Sequence, residues 1–167
     1  TSVETIELTR SFGGMPVFYG DPQRPEILHA AKVDQAEFFV IAMDDPEINI
    51  KTAELVRNLY PHMKIIARAR NRQHVHRLVD LDASPVRETF YSSLEMSRRT
   101  LVGLGLSQAQ ADARINRFKT HDQQVLAAQH AVYDDAAKVM QTAQEARAEL
   151  ARLFEMDRLD EESSDKL

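Results

Sequence analysis

The sequence contains no cysteine, which excludes a disulfide framework, a cysteine-ligated metal and a thiol nucleophile. It has no apolar run near the roughly 20 residues that a helix needs to cross a bilayer. The charged segment 1–10 lacks the apolar centre of a signal peptide. The net charge is −5 and no basic stripe has interleaved aromatic residues, so nucleic-acid binding is disfavoured. The composition fits a cytoplasmic protein.

The most informative stretch that is present begins with a short apolar run, Phe38–Ile41. Its β-preferring residues are typical of a parallel strand buried on both faces. Asp44 or Asp45 can cap the helix that follows, whose first turn contains Pro46. In open parallel sheets, ligands lie at the carboxyl ends of the strands. We therefore expect the three residues directly after the strand to border a pocket: Ala42, Met43 and Asp44.

The sequence around this strand alternates between helical and strand patterns. Helices are predicted over 3–12, 25–31, 48–59 and 72–81, and strands over 16–20, 38–41, 64–70 and 86–90. This alternation is typical of a parallel α/β sheet with right-handed crossovers.

Glycine is scarce, with five residues, and the phosphate-binding fingerprint G-x-G-x-x-G is absent. A free-standing doubly wound domain normally begins with a strand and a Gly-rich turn, whereas this sequence begins in a predicted helix. We therefore interpret residues 1–90 as the C-terminal part of a Rossmann-like nucleotide-binding domain. We expect its first strand, phosphate-binding turn and second strand to lie upstream of Thr1.

The sequence changes character beyond Tyr91. Residues 109–159 contain no Gly or Pro and predict one long helix or two, which Ser107 and Gln110 begin with capping-box spacing. Apolar residues recur there at coiled-coil spacing, compatible with helix packing across a homodimer. We predict a helical dimerisation and ligand-binding extension over 91–159 and an acidic disordered tail over 160–167. The predicted fold class is α/β: a partial Rossmann-like parallel sheet followed by a long α-helical C-terminal extension.

Five segments, in this order and spacing, suggest a family. They are VFYGD (17–21), AMDDPEIN (42–49), PHMKIIARARN (61–71), RETF (87–90) and SRRTLVGLGL (97–106). Together they resemble the cytoplasmic C-terminal domain of the Kef glutathione-gated potassium efflux systems, which belongs to the KTN or RCK class of nucleotide-binding gates. The tail QEARAELARLF (144–154) resembles the KefB branch more than the KefC branch. The family's Gly-rich loop and the acidic residue after its second strand are not present in this sequence.

This resemblance implies a gating module that performs no chemistry. In the family, two such domains form a homodimer at the cytoplasmic face of the bacterial inner membrane, below the transmembrane antiporter domain of the same polypeptide. Bound glutathione keeps the potassium pathway shut, and glutathione S-conjugates open it. The resemblance also implies a bound nucleotide, AMP or NAD(H), and a flavodoxin-like quinone oxidoreductase as ancillary subunit.

The resemblance assigns glutathione binding to Phe12, Arg99 and Asp122. Phe12 matches the aromatic residue that the conjugate's substituent displaces, and Arg99 matches a basic ligand of the tripeptide. Asp122 stands where the KefC branch has asparagine, so it could accept from the glutamyl ammonium but would repel either carboxylate. By pattern alone, Phe12 reads as a core aromatic and Arg99 as part of a solvated helix face.

The predicted nucleotide-binding residues are Asp21, Ala42, Met43, Asp44 and Arg68. Asp21 follows Gly20 at the carboxyl edge of the sheet, although a turn alone would also explain it. Asp44 has the alternative role of helix cap. Arg68, at the end of a strand, could reach a phosphate or pair with Asp44.

Two other function classes compete with the gating module. An NAD(H)-dependent oxidoreductase could use the same sheet, but the sequence offers no convincing acid–base pair, no Tyr–Lys pair and no catalytic histidine with an orienting carboxylate. Another nucleotide-sensing regulator of potassium transport would also fit the sheet. The six histidines lack a compact metal spacing. We therefore predict that the chain is not an enzyme.

Overall fold

The structure is a computed structural model that describes residues 18 and 20–164, with side chains described as far as residue 158. The predicted first helix, which includes Phe12, and most of the predicted strand 16–20 lie outside the described residues. The chain divides into two compact units between Arg87 and Glu88.

The first unit alternates helices and strands. Its elements are α1 (Pro25–Ala30), a 3-10 turn (Val33–Gln35), β1 (Phe38–Ile41), α2 (Pro46–Leu59), β2 (Lys64–Ala69), α3 (Arg72–Asp80) and β3 (Ala83–Arg87). The strands form a parallel sheet in the order β1-β2-β3, with Phe38 opposite Lys64 and Ile65 opposite Ala83. The second unit contains α4 (Phe90–Gly103), α5 (Gln108–His130) and α6 (Ala136–Ser164). The predicted α/β fold class, a partial parallel sheet followed by a long helical part, is confirmed.

The prediction that the central strand is buried on both faces is wrong for this structure. Ile41 is buried, but Phe38 is 50% exposed and Val40 is 65% exposed. Successive strand residues point to opposite faces, and β1 lies at the edge of the sheet formed by the described residues. The buried face is the one that contains Ile65 and Ala67, against which α2 and α3 pack.

Two helices of the first unit, α2 and α3, begin at residues whose side chains cap them. Asp45 caps α2, because its Oδ1 accepts hydrogen bonds from the N–H groups of Glu47 and Ile48 at 2.8 and 3.1 Å. Pro46 follows as the first helical residue, where its missing N–H costs nothing. Asn71 caps α3 through the N–H of His74 at 2.8 Å.

The last strand begins three residues earlier than the predicted 86–90. Asp82 adopts a left-handed conformation with φ of 53°, so the chain turns directly out of α3 into β3 at Ala83. Asp tolerates this conformation better than most residues because its side chain hydrogen-bonds locally. Phe90, predicted to end the strand, instead begins α4.

The second unit contains a helical hairpin. Ser107 begins α5 with both bonds of the predicted capping box, Gln110 N–H to its Oγ at 3.2 Å and its own N–H to Gln110 Oε1 at 2.8 Å. A break at 131–135 separates α5 from α6, so the Gly- and Pro-free stretch forms two helices. The hairpin is antiparallel, since Gln129 contacts Thr142 near the break and Arg117 pairs with Asp157 far from it.

Two further findings concern the ends and lengths of these helices. Helix α6 extends to Ser164, so the segment predicted as a disordered tail, 160–167, is helical over its first five residues. Glu161 and Glu162 are good helix formers, and no Gly or Pro interrupts the segment. Among the described helices, none combines the length and the apolar character that crossing a bilayer requires.

Candidate functional site

A groove of about 390 Å³ lies at the carboxyl end of β1. Of the three residues predicted to border a pocket, Ala42 and Met43 line this groove, together with Gly20, whereas Asp44 is not among its lining residues. Its remaining lining comes largely from apolar side chains of α1 and β1, including Ile27 and Phe39. A groove with apolar walls at the carboxyl edge of a parallel sheet suits a flat, uncharged ring such as a nucleobase.

Asp44 and Arg68 form an ion pair beside this groove. Arg68 Nη1 donates to Asp44 Oδ1 at 2.6 Å, while Asp44 itself is almost fully exposed. Because Asp45 caps α2, the carboxylate of Asp44 is available for this pair. The structure thus brings together four of the predicted nucleotide-binding residues: Ala42, Met43, Asp44 and Arg68.

Asp21 has a local role in the structure. Its Oδ1 accepts a hydrogen bond from the N–H of Gln23 at 2.9 Å, and its carbonyl accepts from the N–H of Arg24 at 3.0 Å. These bonds form an Asx turn, which accounts for an aspartate at this position. Gly20, the preceding residue, lines the groove, so Asp21 lies next to it in the chain.

Asn49 is a buried polar residue that the sequence reasoning did not single out. It is 2% exposed and lies in the first turns of α2. Its Nδ2 donates to the carbonyl of Met43 at 3.0 Å and to the carbonyl of Arg68 at 3.2 Å. A sequence signal could have identified it. It is a polar residue on the apolar face of a helix, four places after the N-cap residue that follows a strand.

His74 is a second buried polar residue at this edge of the sheet. Its Nδ1 accepts a hydrogen bond from the N–H of Arg70, the residue after β2, at 3.1 Å. Burial lowers the pKa of His74 below its usual value, and the charge of Arg77 acts in the same direction. The imidazole is therefore neutral near pH 7, with its proton on Nε2.

In the second unit, a cavity of about 550 Å³ lies between α4, α5 and the C-terminal part of α6. Phe90, Phe118 and Phe154 contribute to its largely apolar wall. Asp122, one of the residues assigned to glutathione binding, also lines it and is 4% exposed. Arg114 brings a second charged group to the same wall.

Arg99 is not among the residues that line this cavity. Its side chain is 76% exposed and its Nε donates to Glu95 Oε1 at 2.7 Å. The preceding arginine, Arg98, binds the same carboxylate with its Nε and Nη2 at 2.9 and 3.0 Å. The two guanidinium groups, Arg98 first, lower the pKa of Glu95 to about 2. Phe12, the third residue assigned to glutathione, lies outside the described residues.

Comparison with known families divides the chain at the same place as its structure. Residues 1–87 match the model of the TrkA-N domain, and residues 92–166 match the model of the potassium efflux system KefB C-terminal domain. A solved structure, the Shewanella denitrificans Kef C-terminal domain in AMP-bound form, superimposes with a TM-score of 0.67 at 31% identity, covering 77% of this chain and 90% of that one. The chain is a Kef C-terminal domain of the RCK/KTN class.

Curated relatives agree with this family membership. The chain is 43% identical over 122 residues to the glutathione-regulated potassium-efflux system protein KefC of Salmonella arizonae, which covers 72% of this chain. It is 37% identical over 154 residues, or 92% of its length, to the KefC protein of Cronobacter sakazakii. The chain spans 20% and 25% of the lengths of these two relatives. The recognition of a Kef domain from the sequence is confirmed.

Proposed function

We propose that this chain is the cytoplasmic regulatory domain of a potassium efflux system that exchanges K⁺ for H⁺. It is held in the closed state by glutathione and opened by glutathione S-conjugates, and it performs no catalysis. It acts as a homodimer at the cytoplasmic face of the bacterial inner membrane, attached to a transmembrane antiporter domain of the same polypeptide. A flavodoxin-like quinone oxidoreductase is its ancillary subunit.

The observation that best supports this proposal is the likeness to a Kef C-terminal domain whose structure contains AMP. The groove of this chain lies at the carboxyl end of β1, and ligands of open parallel sheets bind at the carboxyl ends of the strands. AMP or NAD(H) would place its base against Ala42 and Met43. Arg68 is the proposed phosphate ligand, because its partner Asp44 is 96% exposed and ion pairs that involve an exposed group contribute little stability. A phosphate can therefore replace Asp44 at small cost. Asp21, in the turn that follows Gly20, is the remaining nucleotide-binding residue of this proposal.

Glutathione would be recognised by charge at Asp122 and Arg99. Asp122 lines the cavity of the second unit, and its carboxylate can accept from the glutamyl ammonium. Arg99 is exposed, and its planar guanidinium can bind a carboxylate of the tripeptide in a bidentate manner. Phe12 would sense the sulfur substituent. Ligands control such a gate only if they bind its two states with different free energies.

The experiment that tests the proposal is a calorimetric titration of glutathione into the full-length protein, with Arg99→Ala and Arg98→Ala compared. The two arginines are neighbours on α4 and both contact Glu95, so Arg98→Ala is a matched control for the loss of that pair. We expect glutathione binding to be lost in Arg99→Ala and kept in Arg98→Ala. Equal affinity in wild type and Arg99→Ala would remove Arg99 from the site.

A transport assay tests the gate itself. Potassium loss from bacteria that produce the full-length protein should begin when N-ethylmaleimide converts glutathione to a bulky conjugate. Phe12→Ala should reduce the difference between glutathione and conjugate without unfolding the domain. Undiminished discrimination in that variant would contradict the role of Phe12.

Two outcomes would redirect the proposal. Absence of glutathione binding, with AMP still bound, would leave another nucleotide-sensing regulator of potassium transport. Steady substrate-dependent oxidation of NADH by the full-length protein would favour an NAD(H)-dependent oxidoreductase.

A further inference from the structure

Asn49 connects the two strand ends that border the candidate nucleotide site. Met43 lies two residues beyond the end of β1, and Arg68 is the second-last residue of β2. One amide group of Asn49 donates to the carbonyls of both residues, at 3.0 and 3.2 Å. A neutral amide has two donor hydrogens, so both are used to join the two strands at their carboxyl ends.

The chemistry of the residue matches this task. Burying an amide costs free energy unless its polar atoms are paired, and Asn49 Oδ1 is buried with no hydrogen-bond partner among the described residues. An apolar side chain such as leucine, which has the same branching, would carry no such cost. The hydrogen bonds to the two carbonyls, and not packing in the core, therefore explain an amide at this position.

Its position in the helix is also fixed independently. Asp45 caps α2, and the backbone N–H of Asn49 donates to the carbonyl of Asp45 at 3.1 Å. The start of the helix thus holds the Asn49 side chain at a constant place relative to the residues between β1 and α2.

We propose that Asn49 is a positioning residue for nucleotide binding, an inference that rests on the proposed function. By holding the carbonyls of Met43 and Arg68, it sets the spacing between the groove, which Met43 lines, and the guanidinium of Arg68, which pairs with Asp44. A nucleotide that contacts both the groove and Arg68 depends on this spacing. Asn49 itself makes no contact with the nucleotide.

The test is the affinity of the full-length protein for AMP, measured by calorimetry with wild type, Asn49→Asp and Ile50→Val. Asn49→Asp keeps the size of the side chain but replaces two donors by a carboxylate that repels both carbonyls. Ile50→Val is the matched control, since Ile50 is the next residue of α2, is equally buried and does not line the groove. It lowers stability through lost packing alone.

We expect Asn49→Asp to raise the Kd for AMP about tenfold at a temperature where the protein is folded, while Ile50→Val lowers Tm and leaves the Kd unchanged. Equal Kd values for Asn49→Asp and wild type would overturn the inference and leave the proposed function intact. No AMP or NADH binding by wild type would instead refute the nucleotide site itself.

Two further measurements keep the inference testable if Asn49→Asp does not fold. Asn49→Leu keeps the branching and the number of side-chain heavy atoms and adds no charge, and the same rise in Kd is expected. In wild type, AMP should slow amide hydrogen exchange in segments 42–45 and 68–71 together, because one side chain holds both. Slowing in only one of the two segments would count against a shared anchor.

Discussion

His74 Nδ1 accepts a hydrogen bond from the backbone N–H of Arg70 at 3.1 Å, in a buried position where protonation is disfavoured. The folded-state pKa lies below that of the unfolded chain, so the unfolded state binds more protons as the pH falls. The contribution of His74 is fully present above pH of about 6.5 and is lost progressively below it.

The first prediction follows from this sign. His74→Asn keeps an acceptor for the Arg70 N–H and removes the titration, so its free energy of unfolding should fall less than that of wild type between pH 7 and pH 5. Urea unfolding at several pH values measures the difference between the two proteins, which cancels the titration of the other histidines. Parallel pH profiles would contradict the assignment.

Arg57 gives a prediction about stability. Its guanidinium donates to three carbonyls where helices end, those of Leu81, Pro61 and Asp82, at 3.0, 2.6 and 2.8 Å. Arg57→Met leaves these acceptors without that donor and should lower the free energy of unfolding by about 2 kcal/mol. Lys51→Gln, an exposed change on the same helix, should alter it by less than about 0.5 kcal/mol. Similar effects of both substitutions would refute the role of Arg57.

The third prediction concerns Glu95. Its pKa of about 2 arises first from Arg98 and then from Arg99. Each substitution to glutamine should raise this pKa, Arg98→Gln more than Arg99→Gln, as measured by NMR titration of the carboxyl carbon. The stability that the pair provides is present above the pKa of an unfolded glutamate and is lost as the pH falls toward 2. An unchanged pKa in Arg98→Gln would contradict the observed contact.

The fourth prediction concerns the start of α5. Ser107→Ala removes the acceptor for the Gln110 N–H and should lower the free energy of unfolding by about 1 kcal/mol. Ser107→Asp keeps an oxygen acceptor at the cap and should remain close to wild type. Chemical denaturation of all three proteins measures both changes. A loss of equal size in Ser107→Asp would show that the cap is not the cause.

Much of the fold could be predicted because its signals are local. Pro46 after two carboxylates marked the start of α2, and Ser107 with Gln110 marked that of α5. The exposure of Val40 could not be predicted in this way, because a continuous apolar run has the same pattern whether one or both faces are covered. Residue type alone did not indicate the left-handed turn at Asp82 that moved β3.

The candidate site was predictable to the extent that it depends on strand ends. Ala42, Met43 and Asp44 were expected at a pocket because they follow a strand; the first two line the groove, and Asp44 does not. The division of labour between Asp44 and Asp45 required the structure, since either could cap the helix. Asn49 was missed because its two acceptors are backbone carbonyls, which carry no sequence signal, and one of them belongs to a strand 19 positions away.

The antiparallel hairpin of α5 and α6 has a consequence for how the chain folds. Gln129 and Thr142 meet across 13 positions, whereas Arg117 and Asp157 are 40 positions apart (157 − 117). Closing a short loop costs less entropy than closing a long one. The hairpin should therefore form from the break at 131–135 outward, with its open end joining last. Local contacts of this kind favour rapid folding, so the helices should acquire their pairing before the slower parallel strands acquire theirs.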